Sequence, residues 1–265
     1  QVGTGANILT AGFAIGGSGT SGQQSVLVRA SGPALTAFNV AGVLADPQLQ
    51  MFNSSSVAIP GDLNDGWAGD SAIVNTASAV GAFAWKDSKS HDAALNLTLA
   101  AAPYTAQVSG QSGDTGVALV EVYDATPAGT YTSSSPRLVN LSSRVNVGTG
   151  GNALIAGFVI KGTTSVTVLI RASGPALTQF GVGGVLPDPV LLLRDGAGNA
   201  VASNSSWGGD PVISSVANAV AFQWKDTGSH DSALLVTLPP GSYTANVSGA
   251  NNDTGVGLVE VYEIQ

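Results

Sequence analysis

The amino-acid sequence predicts an all-β protein of two tandem, homologous β-sandwich domains, of jelly-roll-like or immunoglobulin-like type. The string Arg-Ala-Ser-Gly-Pro-Ala-Leu-Thr occurs at 29–36 and again at 171–178, which indicates a duplication. Apolar and polar residues alternate over short β-branched segments, and Gly, Pro, Asn and Asp clusters separate these segments. No pattern predicts an α-helix of three turns.

The duplication extends over most of the 265 residues and predicts the domain boundaries. We expect one domain at 1–125, a Ser/Thr/Pro-rich linker at 126–136 and a second domain at 137–265. The second domain begins with an additional strand at 137–144, for which the first copy has no counterpart. Such an unmatched strand predicts an uncovered sheet edge in one of the domains. The matched segments include Val2–Gly5 with 147–150, Trp85–Asp87 with 224–226, and Leu119–Tyr123 with 258–262.

About eight strands are expected in each domain, at the spacing of a sandwich. Two segments are continuously apolar and predict strands buried on both faces, and the insertion at Gly17–Gln24 predicts a hairpin tip. Pro33 predicts one helical turn after the first duplicated arginine. The alternating strands are predicted at Ser25–Ala30, Ala93–Thr98, Tyr104–Ser109 and Gly116–Tyr123, and the buried ones at Asn7–Ile15 and Val80–Trp85.

Composition narrows the classes of function. Charged residues make up 10% of the chain and the formal net charge is −8, so a phosphate backbone would be repelled and nucleic acid is not expected as a partner. A surface low in charge and rich in hydroxyl groups favours an extracellular location. No apolar run reaches the roughly 20 residues of a membrane span. The chain has no cysteine, so no disulfide is expected. It begins with Gln1 rather than Met, which predicts that a signal peptide has already been removed.

The duplicated arginine is predicted to form a buried ion pair. Arg29 lies on a β-branched strand, and its partner acid is either Glu121, on the same face as Leu119 and Tyr123, or Asp46. Arginine suits this role because its guanidinium is planar and permanently charged. In the second copy the corresponding ion pair is predicted between Arg171 and either Glu260 or Asp188.

The contiguous Ser90-His91-Asp92 and Ser229-His230-Asp231 contain both histidines of the chain. Neighbours on an extended chain point to opposite faces, so the three residues of one string cannot form a catalytic relay with each other. The sequence also lacks a Gly-x-Ser-x-Gly nucleophile elbow. We interpret the strings as loops that lead into the next strand, with the aspartate closing a turn.

A loop that is both acidic and aromatic lies between the predicted strands of the first copy. Oxygen ligands at Asp62, Asn64, Asp65 and Asp70 are of the type that binds Ca²⁺, although EF-hand spacing is absent and the second copy retains only one carboxylate there. The alternative is an Asx-turn loop without a metal. No other cofactor is expected. Trp67 and Trp207 lie in these polar loops, where they either cover the sandwich or face outward and stack against sugars.

Taken together, the repeated segments resemble a module of secreted bacterial proteins known from acidobacterial and verrucomicrobial genomes. The resemblance covers nearly the whole chain and implies secretion, a β-sandwich and tandem use, without catalytic residues. In the second copy its segments are Gly157–Ile160, Val168–Leu177, Leu186–Pro189, Trp207, Asp231–Leu234, Leu238–Gly249 and Leu258–Tyr262.

The sequence therefore predicts a non-catalytic extracellular structural protein. Two near-identical domains allow a contact that recurs between chains, and a head-to-tail contact of this kind grows a filament or surface array. The partner would be another copy of the chain, joined by β-strand addition. The alternative is a carbohydrate- or surface-binding adhesin that uses Trp67 and Trp207.

Overall fold

A computed structural model describes residues 1–264, and antiparallel β-strands dominate it. The chain divides into two compact units, Gln1–Val139 and Asn140–Gln265. The division falls inside the strand that was expected to open the second domain. The segment expected as a linker belongs to the first unit, where the Ser21 N–H donates to the Ser134 carbonyl.

The first unit is a sandwich of two sheets with one helix on an outer face. Four strands lie in the order β1-β6-β3-β4, and three form a sheet in the order β5-β2-β7. Its elements are β1 (Leu9–Gly16), β2 (Gln23–Ser31), β3 (Pro47–Phe52), β4 (Ala58–Asn64), α1 (Ser71–Val80), β5 (Ala93–Ala100), β6 (Pro103–Gly110) and β7 (Leu119–Asp124).

The second unit repeats this order and adds one strand. The sheet β12-β11-β14-β9 corresponds to β4-β3-β6-β1, and β13-β10-β15 corresponds to β5-β2-β7, with β8 added beyond β15. Its elements are β8 (Arg137–Val147), β9 (Leu154–Ile160), β10 (Val166–Ser173), β11 (Pro189–Asp195), β12 (Ala200–Asn204), α2 (Pro211–Val220), β13 (Ser232–Leu238), β14 (Gly241–Gly249) and β15 (Gly255–Ile264).

The central strand of the three-stranded sheet is buried on both faces. Val26, Leu27 and Val28 of β2 are all inaccessible to solvent. Leu27 packs under α1 with Trp67 and Ile73, while its neighbours face the other sheet. The first unit therefore has three layers, namely sheet, sheet and helix, and the second unit has the same layers.

The helix α1 corrects one sequence prediction. Val80–Trp85 was expected as a buried strand, but Val80 ends α1 and the segment after it is irregular. The helix begins where the Asp70 carboxylate accepts a hydrogen bond from the Ala72 N–H, and it ends at Gly81, whose φ of 79° is left-handed. Among residues 1–264, no helix has both the length and the apolar character of a membrane span.

The insertion at Gly17–Gln24 is not a hairpin tip. β1 pairs with β6, whereas β2 pairs with β5 and β7 in the other sheet. The connection between β1 and β2 therefore passes from one sheet to the other, and β2 already begins at Gln23. The prediction was wrong because a Gly-rich connection between adjacent strands has the same composition in both arrangements.

Candidate functional site

The duplicated string at 29–36 is held by a buried aspartate from a distant loop. Asp92 is inaccessible to solvent, and its carboxylate accepts hydrogen bonds from the N–H groups of Gly32 at 2.8 Å and Ala34 at 3.2 Å. The Ser90 hydroxyl donates to the same carboxylate at 2.6 Å and accepts from the Trp67 indole at 3.1 Å. We call this network the turn clamp.

The second unit contains the same turn clamp at the same distances within 0.1 Å. Asp231 accepts from Gly174 at 2.7 Å and Ala176 at 3.2 Å, and Ser229 donates to it at 2.7 Å. The Trp207 indole donates to Ser229 at 3.1 Å. Glycine is required at 32 and 174 because a Cβ at either position would collide with the carbonyl oxygen of Leu44 or Leu186.

The turn clamp places Ser90 and His91 in separate environments. The Ser90 hydroxyl is occupied by Asp92 and Trp67, while the His91 side chain is exposed and lies 3.3 Å from an Asp46 oxygen. In the second unit His230 lies 3.4 Å from Asp188. The serine and histidine of each string therefore do not form a nucleophile–base pair with each other. The aspartate closes a turn 60 residues away in sequence rather than its own loop.

Arg29 lies beneath the helix layer of the first unit. Its Nε lies 3.3 Å from the Glu121 carboxylate, directly across the ladder between β2 and β7, and its Nη1 donates to the Phe83 carbonyl at 2.9 Å. The guanidinium carbon lies 4.5 Å from the Phe83 ring and 4.3 Å from the Trp85 ring. Two rings, a carbonyl and a carboxylate thus replace water around a buried cation.

Arg171 has the matching environment in the second unit, with Glu260 at 3.5 Å and the Phe222 carbonyl at 2.8 Å. In both units the alternative acid, Asp46 or Asp188, is wrong as the partner because it lies against a histidine. Burial raises the pKa of Glu121 and Glu260, and the neighbouring arginine lowers it by a smaller amount. These features hold the sheet to the helix layer.

Trp67 and Trp207 are each only 5% exposed, so the prediction of outward-facing rings that stack against sugars is wrong. Each ring packs edge-on against the second tryptophan of its unit, at centroid distances of 5.4 Å and 5.3 Å. The polar loop composition suggested exposure, but the indole N–H finds its partner inside the turn clamp.

The acidic loop uses two of its four candidate calcium ligands for backbone hydrogen bonds. The Asn64 amide oxygen accepts from the N–H groups of Gly66 and Ala94, and Asp70 caps α1. Within residues 1–264, no three His, Cys, Asp or Glu side chains are grouped as a metal site requires. Asp62 lies within β4, and the hydrogen bond from the Gly66 N–H to Asn64 forms an Asx-turn that contains Asp65.

The two units differ at one sheet edge. In the second unit, β8 pairs with β15 from Val147 opposite Gly255 to Asn140 opposite Tyr262. In the first unit the equivalent pairing is a single bridge between Val2 and Gly116. Over the described residues, β7 is the last strand of its sheet. We call this unpaired side of β7 the β7 edge.

The exposure of side chains follows this difference. Val259 and Val261 of β15 are buried, whereas the equivalent Val120 and Val122 of β7 are half-buried. Leu119 is exposed, whereas its equivalent Leu258 is half-buried. Covering an edge strand therefore removes both backbone groups and apolar side chains from water.

The hydrogen-bonding groups at the β7 edge can be assigned from the ladder with β2. The Ala125 N–H donates to the carbonyl of Ser25, which lies opposite it in the register of β2 and β7. Backbone groups of an antiparallel strand alternate in direction, so Glu121 and Tyr123 also face β2. Val120 and Val122 therefore direct their N–H and C=O groups to the β7 edge.

Sequence reasoning missed both helices, the aromatic partners of the arginines and the distant partner of Asp92. A readable signal existed for the helices, because Asp70 and Asp210 each precede a run of apolar and small residues and Pro211 follows the second aspartate. No local signal could join Asp92 to Gly32, since the contact depends on the packing of remote segments.

Comparison with known proteins does not place the chain in a family. No family model matches it, and no curated protein does. Among solved structures, a chain of the Sulfolobus turreted icosahedral virus has 10% identity and a TM-score of 0.26, covering 98% of this chain and 91% of that one. The VP2 subviral particle of infectious bursal disease virus has 12% identity and a TM-score of 0.19, covering 99% and 69%. At these TM-scores, the likeness supports no argument about function.

Proposed function

We propose that the protein is a non-catalytic, extracellular structural protein whose copies assemble head to tail into a filament or surface array. The observation that carries this proposal is the β7 edge. The same edge is covered by an eight-residue ladder in the second unit, and no strand among the described residues covers it in the first. Two domains built on one plan thus differ where a further strand can add.

Strand addition at the β7 edge has an energetic basis. The N–H and C=O groups of Val120 and Val122 face solvent there, and main-chain hydrogen bonds provide much of the affinity when an extended segment joins a sheet. Burial of the two half-exposed valines adds a hydrophobic contribution. A contact between different surfaces of two copies leaves one free surface of each kind, so repeated addition extends a chain of subunits wherever the rotation between copies does not close a ring.

The absence of catalysis is supported by how the reactive side chains are used. Ser90, Asp92, Ser229 and Asp231 are bound within the turn clamps, and both histidines lie on the surface beside aspartates. The arginines and glutamates hold the layers together. Each residue type that invites a hydrolase interpretation therefore has a structural partner.

The extracellular location is supported by composition and by the resemblance to secreted tandem modules. With only 10% charged residues and no cysteine, the surface is polar chiefly through hydroxyl and amide groups. Close packing of such surfaces costs less desolvation than packing of charged ones. This composition is favourable for subunits that contact each other along an array.

Sedimentation velocity over a wide concentration range, with negative-stain electron microscopy of the same samples, tests the proposal. We expect the sedimentation coefficient to rise with concentration and linear particles of variable length to appear. A strictly monomeric particle at the highest concentrations would contradict the proposal.

A synthetic peptide with the sequence of residues 137–147 tests the β7 edge itself. This peptide is β8, which pairs with the equivalent edge of β15 in the intact chain, so we expect it to occupy the β7 edge and to inhibit assembly. The control peptide carries Leu141→Pro and Ser143→Pro, which remove N–H groups that face the partner strand. Equal inhibition by both peptides would show that the effect is not strand addition.

A further inference from the structure

The second unit has an open edge of a different character on its other sheet. β9 is the last strand of the sheet β12-β11-β14-β9 in the part of the chain that the structure describes. It pairs with β14 over seven residues, from Leu154 to Ile160, without a register shift. Its sequence, Leu-Ile-Ala-Gly-Phe-Val-Ile, contains no charge and no proline. We call its unpaired side the β9 edge.

Two large apolar side chains of β9 are exposed. Ile155 is 56% exposed and Val159 is 61% exposed, and they lie on the same face because side chains alternate along a strand. Their neighbours across the ladder with β14 are the polar Asn246 and Ser242. The equivalent positions in β1 of the first unit are Thr10 and Ala14. The second repeat therefore has larger apolar residues at positions where the first has small or polar ones.

Two other edge strands, β4 and β12, belong to the four-stranded sheets of the two units. Both have features that prevent pairing with a further strand, and β9 lacks these features. β4 contains Pro60 and its ladder with β3 shifts register. β12 has only five residues and a similar register shift. Bulges, prolines and short length prevent unwanted pairing of edge strands, whereas a flat, uncharged, apolar edge is available for pairing.

We propose that the β9 edge pairs with the β7 edge of a second copy of this chain. The inference rests on the proposed function, because it names the surface that fills the β7 edge. The two strands have similar lengths, six residues in β7 and seven in β9. Each presents unpaired backbone groups together with exposed apolar side chains, including Leu119 on β7. Pairing them removes both edges from solvent.

The choice of β7 as the partner of β9 determines how the assembly grows. Pairing of β9 with a second β9 would be isologous and would stop at a dimer, whereas pairing of β9 with β7 leaves one free edge of each kind at the two ends. Each added copy then presents the same acceptor as the copy before it. The assembly is a linear chain of subunits with distinct ends.

The test is the double variant Ile155→Lys with Val159→Lys in the full-length chain, compared with Val201→Lys. Val201 lies on the other edge strand of the same sheet, β12, and is 44% exposed, so it controls for an added surface lysine. We expect the double variant to sediment as a monomer at concentrations at which the wild type and Val201→Lys form linear particles. Circular dichroism and thermal unfolding verify that all three proteins are folded.

Mixing the double variant with wild-type protein tests the identity of the partner. The variant keeps its β7 edge, so it adds to a growing end and then blocks it. We expect mean particle length to fall in proportion to the variant's share of the mixture. Unchanged lengths would overturn β7 as the partner of β9.

The remaining outcomes separate this inference from the proposed function. Assembly of the double variant to wild-type lengths would overturn the role of the β9 edge while leaving head-to-tail assembly through β7 in place. A wild-type protein that stays monomeric under all conditions would overturn both. Loss of assembly in Val201→Lys as well as in the double variant would show a general effect of surface charge and would also overturn the specific role of β9.

Discussion

The two units bury their arginines in the same way but differ in whether a further strand pairs with the neighbouring strand edge. Arg29 and Arg171 are each 1% exposed, and each lies between two aromatic rings and a glutamate. The strand that carries the glutamate is covered by β8 in the second unit and, across residues 1–264, is the last strand of its sheet in the first. The shared elements specify the fold, and the unshared element determines where another chain can bind.

Substitutions in the turn clamps are expected to cause the largest loss in the free energy of unfolding. The loss should be equal in the two units. Asp92→Ala or Asp231→Ala removes a buried carboxylate and leaves two backbone N–H groups and the serine O–H without their acceptor, although the serine still accepts from the tryptophan indole. We expect a loss of about 3–4 kcal/mol in the free energy of unfolding of the altered unit. Urea denaturation monitored by hydrogen exchange and mass spectrometry measures the free energy of unfolding of each unit separately.

The matched controls for the clamps are Asp87→Ala and Asp226→Ala, in exposed turns where each aspartate accepts a local backbone hydrogen bond. We expect these controls to change stability by less than about 1 kcal/mol. A clear inequality between Asp92→Ala and Asp231→Ala would mean that the units are not equivalent in their cores.

The buried glutamates are expected to make the free energy of unfolding depend on pH. This effect is smaller than that of the turn clamps and differs between the units. Because burial raises the pKa of both carboxyl groups, the folded state binds protons more tightly than the unfolded state. Their contribution to stability is therefore complete below the unfolded pKa and is lost as pH rises through the folded pKa, by about 1.4 kcal/mol for each unit of the difference. Glu260 is less exposed than Glu121, so its contribution should be larger.

The measurement is the free energy of unfolding between pH 4 and pH 7 for the wild type, Glu121→Gln and Glu260→Gln. Each substitution should remove part of the decrease toward neutral pH, and Glu260→Gln should remove more. A wild-type stability that increases steadily over this range, with no change in slope in either variant, would contradict the pKa direction given for these pairs.

The smallest effect is expected at the surface histidines. His91 and His230 are exposed, with side-chain accessibilities of 63% and 64%, and exposed polar contacts contribute little to the free energy of unfolding. His91→Ala and His230→Ala should each change the free energy of unfolding by less than about 1 kcal/mol. A large loss in either variant, measured by urea denaturation at pH 7, would assign these residues a role that their exposure does not explain.

The sequence was informative where structure depends on local patterns. Period-two alternation located most strands, and the shared face of Leu119, Glu121 and Tyr123 correctly identified Glu121 as a candidate partner of Arg29. The strand predicted at 137–144 exists as Arg137–Val147. Each of these features depends on spacing that is visible within a few residues.

The remaining features depend on which strands are neighbours, which periodicity does not specify. Trp67 was ambiguous because its burial depends on Ser90 and on the helix above it. The open edges at β7 and β9 follow from sheet order, and sheet order results from packing of remote segments. The exposed Ile155 and Val159 are readable as apolar residues in the sequence, but they look like core residues until the edge is known.

Amide hydrogen exchange at four equivalent valines, measured on dilute and on concentrated protein, tests the central comparison most directly. In dilute protein we expect the amides of Val120 and Val122 to exchange rapidly because they face the open β7 edge, and those of Val259 and Val261 to be protected because β8 covers them. In concentrated protein, Val120 and Val122 should become protected while the other two remain unchanged. Equal protection of all four amides in dilute protein, or continued rapid exchange of Val120 and Val122 in assembled protein, would contradict the account.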